Sequence, residues 1–256
     1  MPERISSREN PAIKTARKLA QDNLAYRKAG QIWLEGDHLC RAAIERKVRP
    51  HTAIFAESVW PGLPSDLQQA ATRSILVPDA LFRELSGLDS PASMGFLLDL
   101  PKQPDIAAHV KMIVLDRVQD AGNVGSILRS AAAFGFGQVV AIKGTAALWS
   151  PKVLRAGMGA HFALQLIEGQ TPDDLQAITA PLVVTSSHAG NLINRQPLPQ
   201  PCTWVFGHEG QGVSAELMAR AALTVRIGQP GGEESLNVAA AAAICLHASS
   251  VADGNL

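Results

Sequence analysis

The sequence predicts an α/β protein of two domains, a smaller one over residues 1–104 and a larger one over 105–256 built on a mostly parallel sheet. Three observations carry this. Short apolar runs alternate with amphipathic segments along the chain, as in sheets covered by helices. The stretch Leu100-Pro-Lys-Gln-Pro-Asp105 breaks the alternation with two prolines and reads as a linker. In the second part, three apolar runs end in glycine-bearing polar turns, the place where open parallel sheets bind ligands.

Each element has a local cause. In the first part a helical pattern over residues 11–29 is closed by Gly30, followed by a strand at 32–35 and a helix over 37–47. A strand near 53–56, a short helix after Ser65, a strand at 75–77, a helix over 79–85 and a strand near 96–98 complete this domain. In the second part strands are expected at 110–115, 138–142, 163–167, 182–185, 204–206 and 223–227, with helices between most of them.

Composition sets the class. With 46% hydrophobic and 18% charged residues, 256 residues can bury a proper core. No apolar run approaches the ~20 residues that span a bilayer. The start Met-Pro-Glu-Arg lacks the basic-then-apolar plan of a signal peptide, so a cytoplasmic location is expected. Cys40, Cys202 and Cys245 stand far apart and form no Cys-x-x-Cys pair, which argues against a disulfide framework or a zinc site. None of the seven histidines has metal-ligand spacing, and His208 alone is expected near a site. The net charge of +0 hides an asymmetry: residues 1–50 hold eleven Lys/Arg against six Asp/Glu, so the rest is acidic. A basic first domain suits contacts with nucleic-acid phosphates, although a solvated helix face would read the same way.

Three stretches carry the chemistry. In Met112-Ile-Val-Leu-Asp-Arg-Val-Gln-Asp-Ala-Gly-Asn-Val-Gly-Ser-Ile-Leu-Arg-Ser130, residues Val124, Ile127, Leu128 and Ala131 fall at i, i+3, i+4 and i+7, leaving Arg129 off the buried face. Trp204-Val-Phe-Gly-His-Glu-Gly-Gln-Gly-Val-Ser214 is the second. Its Gly210-Gln-Gly212-Val-Ser-Ala215 satisfies the G-x-G-x-x-A dinucleotide pattern, with acids further on at Glu233 and Glu234, so a nicotinamide enzyme is a rival reading. Such a fingerprint normally opens the first βαβ unit, whereas here only residues 216–256 remain. The third, Ile227-Gly-Gln-Pro-Gly-Gly-Glu-Glu-Ser-Leu-Asn-Val238, is a ligand-approachable loop running into a helix of small residues over 239–243, with Ser235 as the expected N-cap.

In this order the three stretches resemble the motifs of the SpoU (TrmH-type) family of RNA ribose 2′-O-methyltransferases, in the knotted SPOUT superfamily, over roughly residues 110–247. The resemblance implies a C-terminal segment threaded into a trefoil knot, S-adenosylmethionine as cofactor, an RNA substrate with ribosomal RNA first and transfer RNA second, and no metal. It assigns Asn123 and Arg129, six apart as in Asn-x-Gly-x-x-x-Arg, together with Glu209, Ser235 and Asn237, to the catalytic side. It assigns Thr185, Ser186, Gly207, Ile227, Gln229 and Leu236 to the cofactor, with Ser187 beside them. A homodimer is expected through the C-terminal domain, on the face Val238, Ala241, Ala242 and Cys245, with the site assembled across it.

Arg129 is often cast in that family as the general base, but a guanidinium does not release its proton in proteins. Stabilising negative charge on the attacking oxygen suits it better, leaving the proton to phosphate, water or Glu209. Two departures bear on the loop: Gly228 precedes Pro230 where the family commonly has proline directly after the isoleucine, and Ala239 stands where it often has Ser or Thr. Lys152, Arg155 and His161 form a basic loop that the resemblance places near substrate RNA, although a solvated loop would read the same way, and Ser6-Ser-Arg-Glu-Asn-Pro-Ala-Ile-Lys14 with Leu34-Glu-Gly36 resembles the family's substrate-binding domain. A knotted RNA-binding protein without catalysis is the rival from another class, opposed by the presence of all five catalytic-side residues.

Overall fold

The computed structural model describes residues 2–88, 90–186, 189–231 and 235–252. The chain divides into two compact units, Met1–Lys102 with Trp149–Phe162, and Gln103–Leu148 with Ala163–Leu256.

The first unit runs β1 (Glu3–Arg4), α1 (Pro11–Gln21), α2 (Ala25–Ala29), β2 (Gln31–Glu35), α3 (Asp37–Glu45), β3 (Thr52–Ala56), α4 (Ser65–Gln68), β4 (Arg73–Val77), α5 (Asp79–Leu85) and β5 (Met94–Asp99). Its sheet has the order β1-β4-β3-β5-β2, with β5 antiparallel to both neighbours and the other pairs parallel. The helix expected over 11–29 is two helices. The Asp22 carboxylate accepts the Leu24 N–H at 2.9 Å, an alternative hydrogen bond that ends α1 one turn before α2 starts. At its other end α1 is capped by Asn10, which accepts from Ala12 N at 3.0 Å, and Pro11 takes the first helical position. Phe55 meets Phe96 edge-on across the core with ring centroids 6.5 Å apart.

The second unit continues with β6 (Met112–Asp116), α6 (Ala121–Ala133) and β7 (Gln138–Ile142). The next helix, α7 (Pro151–Gly157), belongs to the first unit. After it come β8 (Gln165–Gln170), β9 (Leu182–Thr185), β10 (Asn191–Leu192), β11 (Thr203–Gly207), α8 (Ala215–Ala219), β12 (Leu223–Arg226) and α9 (Val238–Ala252). All seven strands are parallel, in the order β10-β12-β9-β11-β6-β7-β8. Every residue of β6, β7 and β11 is buried, which is why these strands read as unbroken apolar runs rather than alternating ones.

From β6 the chain moves one way through β7 to β8, then returns to build the other half from β9 onward. The strand order therefore reverses between β6 and β11, whose ends Asp116 and Gly207 pair side by side. α6 buries Val124, Gly125, Ile127, Leu128 and Ala131 and packs against α9. α9 is tied to the sheet by one buried serine: Ser249 Oγ accepts from Trp204 Nε1 at 2.8 Å, and its carbonyl accepts from Gln200 Nε2 at 2.9 Å.

Residues 150–161 are not the expected basic loop. Ser150 caps α7 by accepting from Val153 N, and His161 is buried with its ring 5.2 Å from that of Trp149. Lys152 is exposed and Arg155 half-buried, so only these two remain available to a polyanion.

Candidate active site

A cavity of about 590 Å³ opens at the carboxyl ends of β9, β11 and β12, on the reversal side of the sheet. Its walls are Thr185 and Ser186 after β9, residues 207–213 after β11, Ile227 and Gln229 after β12, and Ser235, Leu236, Asn237, Val238 and Ala241 at the start of α9. All three glycine-bearing turns thus converge, two on the cavity and the third, at the start of α6, through hydrogen bonds to its wall.

Those bonds form one chain. Asn237 Nδ2 donates to Asn123 Oδ1 at 2.9 Å, and Asn123 Nδ2 donates to Glu209 Oε1 at 3.1 Å. Glu209 also accepts the backbone N–H of Asp120 at 3.0 Å and of Gln119 at 3.1 Å. Asp120 in turn caps α6 by accepting from Asn123 N at 2.8 Å. The carboxylate thereby gathers orphan donors at a helix start, where the macrodipole also favours negative charge. Partial burial pulls the Glu209 carboxyl upward, but the Asn123 amide and the two backbone donors outweigh it and hold it below its ordinary value. A carboxylate so engaged serves first as a fixed acceptor that anchors the start of α6.

The cap of α9 is Asn237, not Ser235: Asn237 Oδ1 accepts from Ala239 N at 2.9 Å and Ala240 N at 3.3 Å. Ser235 is exposed at the cavity mouth instead. Gly207 cannot carry a side chain, because a Cβ there would collide with the returning backbone of Gly212 and Val213. That turn closes on itself, His208 N to Gly212 O at 3.0 Å and Gly212 N to His208 O at 2.8 Å. The helix behind it, α8, is only Ala215–Ala219, so Gly210 and Gly212 shape a tight turn rather than the phosphate-binding start of a long helix. His208 Nδ1 accepts from Gly210 N at 3.0 Å and Gln211 N at 3.2 Å, which assigns the ring proton to Nε2.

Of the residues expected at the site, Thr185, Ser186, Gly207, Glu209, Ile227, Gln229, Ser235, Leu236 and Asn237 line the cavity, and Asn123 is bonded to two of them. Arg129 does not line it. It lies on the exposed stripe of α6 with Gly122, Ser126 and Ala133, and among the described residues it has no hydrogen-bond or ion-pair partner. Ser187, Glu233 and Glu234 lie outside the described residues. The expected dimer face is also corrected: Ala242 and Cys245 are fully buried inside the chain, whereas Ala240, Ile244 and Val251 face outward. Asp116, 1% exposed at the end of β6, and Arg117 beside it were missed, because an acid-base pair one residue apart at a strand end carries no periodic signal.

The cavity suits a nucleoside-bearing cofactor. Its volume is that of a small-molecule site, and Leu236, 41% exposed, offers an apolar wall. Gln229 Oε1 is shielded from solvent and has no hydrogen-bond partner among the described residues, an acceptor in the wall that an exocyclic amino group would satisfy. Cys202 and Cys245 are not candidate nucleophiles, since burial pushes both thiols up, Cys202 to about 11.

Two family descriptions match the chain: the SpoU rRNA Methylase family over residues 111–247 and the MRM3-like substrate binding domain over residues 10–95. Among curated proteins, the 23S rRNA (guanosine(2553)-2′-O)-methyltransferase RlmP of Bacillus subtilis is 29% identical over 95% of this chain and 97% of its own. A solved RNA 2′-O ribose methyltransferase is 29% identical with a TM-score of 0.80, covering 99% of this chain and 100% of that one. The SpoU methyltransferase AviRb of Streptomyces viridochromogenes, solved with AdoMet, shares the fold at 21% identity and a TM-score of 0.83, over 96% of this chain and 100% of that one. With its seven-stranded parallel sheet, its three converging turns and a match over more than half its length, the chain belongs to the SpoU rRNA methylase family.

Proposed function

We propose that this protein transfers a methyl group from S-adenosylmethionine to a ribose 2′-hydroxyl of ribosomal RNA. The observation that carries the reading is the polar chain Asn237–Asn123–Glu209, which locks the cavity wall to the start of α6, the helix bearing Arg129. The cofactor supplies an activated methyl group on a good leaving group, so the protein's part is positioning and electrostatics. Gln229 and Leu236 hold the nucleoside end, and Glu209, by fixing Asn123, aims α6. Arg129 stays charged and stabilises negative charge growing on the attacking oxygen. The proton passes to an RNA phosphate, to water or to Glu209. The identity with RlmP over nearly the whole of both chains supports ribosomal RNA over transfer RNA.

Arg129 stands outside the cavity of its own chain, and this supports a homodimer in which a second copy brings its Arg129 to the site. The outward stripe Ala240, Ile244 and Val251 of α9, next to the small-residue stripe of α6, is the surface for it. The reversal of strand order between β6 and β11, with α9 packed against α6 and β11, supports a knotted C-terminus. RNA selectivity falls to the first unit. There Arg4, Arg8, Lys14 and Arg41 are neutralised locally by Glu57, Glu84, Glu9 and Asp37, while Arg46, Lys47 and Arg49 cluster exposed after α3. Calorimetry with S-adenosylmethionine and with NAD tests the cofactor: saturable binding of the first alone supports the reading, and binding of NAD alone overturns it.

A further inference from the structure

We infer that Arg117 is a positioning residue for the cofactor pocket, acting as a strut between the end of β6 and the turn 208–213 that forms one wall. The inference rests on the cavity being the S-adenosylmethionine site.

Arg117 holds a left-handed backbone, φ +60°, which a side chain other than glycine adopts only at a cost that its surroundings must repay. Three sets of bonds repay it. Its N–H donates to Thr145 Oγ1 at 3.1 Å, and that hydroxyl donates onward to Leu115 O at 2.9 Å, so the kink is fastened from the neighbouring turn. Gly144, itself at φ +99°, leaves the room: a Cβ there would come within 3.2 Å of Arg117 Cγ. The guanidinium then bridges two partners. Nε donates to the buried Asp116 Oδ1 at 2.9 Å, and Nη1 donates to Gln211 Oε1 at 3.0 Å. The bond to Asp116 raises the Arg117 guanidinium further above its ordinary range.

Asp116 completes the grip from below, since its Oδ2 accepts the Ser214 N–H at 2.6 Å. The turn is therefore held at two points by one ion pair: Gln211, near its tip, through the arginine, and Ser214, just past its end, through the aspartate. The turn also closes on itself, through the His208 ring and the two backbone bonds between His208 and Gly212. The Arg117–Asp116 pair joins the turn to the end of β6 through side chains, as Glu209 joins it to residues 119–123 further along. The left-handed kink aims the guanidinium at the turn. The planar fork of arginine makes the double attachment possible, and lysine, with a single point of attachment, does not reproduce it.

The test is a double-mutant cycle on the full chain, Arg117→Lys and Gln211→Ala, singly and together, with two readouts. The first is hydrogen exchange of the 210–212 amides in cofactor-free protein. The second is the calorimetric Kd for S-adenosylmethionine. Arg117→Lys keeps a cation beside Asp116, so the thermal midpoint should stay near wild type while the amides exchange faster and Kd rises about tenfold, the size of a lost charge-assisted hydrogen bond. In the Gln211→Ala background the same substitution should change Kd less than twofold. Unchanged exchange and Kd in Arg117→Lys would overturn the inference, as would an equal shift in both backgrounds. Should Arg117→Lys fail to fold, Gln211→Ala alone must raise both exchange and Kd, and no change in either overturns the strut. Leu236→Trp, which fills the cavity, separates the two readings. If it leaves Kd intact, the cavity is not the cofactor site; if it abolishes binding while Arg117→Lys does nothing, only the strut fails.

Discussion

Replacing Glu209 by glutamine changes one atom and should cost both stability and rate. The carboxylate accepts three N–H groups, from Asp120 and Asn123 at 3.0 and 3.1 Å and from Gln119 at 3.1 Å. Glutamine keeps an acceptor for the first two, but its NH₂ then faces the Gln119 N–H, donor against donor. A hydrogen bond to a charged group contributes about 1.5–3 kcal/mol, and Glu209 is solvent-exposed, so the low end applies, about 1.5 kcal/mol. That amounts to roughly 3–6 °C in the midpoint of the second unit by calorimetry. The same bonds set where α6 starts, so single-turnover methyl transfer should fall about tenfold, the rate equivalent of ~1.4 kcal/mol. The pH dependence has a definite sign. Because the Glu209 carboxyl is held below its ordinary value of 4.5, its contribution is complete above about pH 4.5 and is lost as pH falls through the lowered value. The glutamine variant should lack that acid-side loss. A variant that matches wild type in midpoint, rate and acid profile would refute the role given to the carboxylate.

Arg129→Ala should lower single-turnover transfer by on the order of a hundredfold with cofactor affinity little changed, as for loss of a preorganised charge-stabilising donor; near wild-type transfer would remove Arg129 from the mechanism. Ile244→Arg should shift light scattering from twice 27.1 kDa toward 27.1 kDa and reduce transfer in step, and a monomeric variant of full activity would contradict the shared site. Ser249→Ala leaves the buried Trp204 Nε1 without its acceptor and should cost about 1–3 kcal/mol by denaturant unfolding, and no change in midpoint would show that α9 is held otherwise.

The legible parts were those with a local signature. Buried parallel strands announce themselves as apolar runs, so β7 and β9 were placed to the residue, as was α5. The resemblance of three ordered motifs placed Asn123, Glu209 and Asn237, which the fold joins by hydrogen bonds. What failed depended on contacts distant in sequence or on competition within one turn. Two-residue strands such as β1 and β10 are too short for any period to register. Ser235 and Asn237 are both good caps two residues apart, and only the helix start at Val238 decides between them. The choice of α9's outward face needed the position of Trp204, which pulls Ser249, and with it Cys245 and Ala242, to the inside. Residues 149–162 joined the first unit although they lie between strands of the second, a placement that no linker composition foretells. Arg117 escaped notice for a similar reason, since its partner Gln211 lies 94 positions away.

In the proposed reaction this protein methylates the ribose 2′-oxygen of ribosomal RNA. Incubating the purified protein with labelled S-adenosylmethionine and unmodified ribosomal RNA, then hydrolysing the RNA in alkali, tests it directly, because a methylated 2′-oxygen cannot attack the neighbouring phosphate. Label should be confined to one alkali-resistant dinucleotide and absent with Arg129→Ala. Label recovered in a methylated base within mononucleotides, or no label in ribosomal RNA alongside saturable cofactor binding, would contradict the proposed reaction.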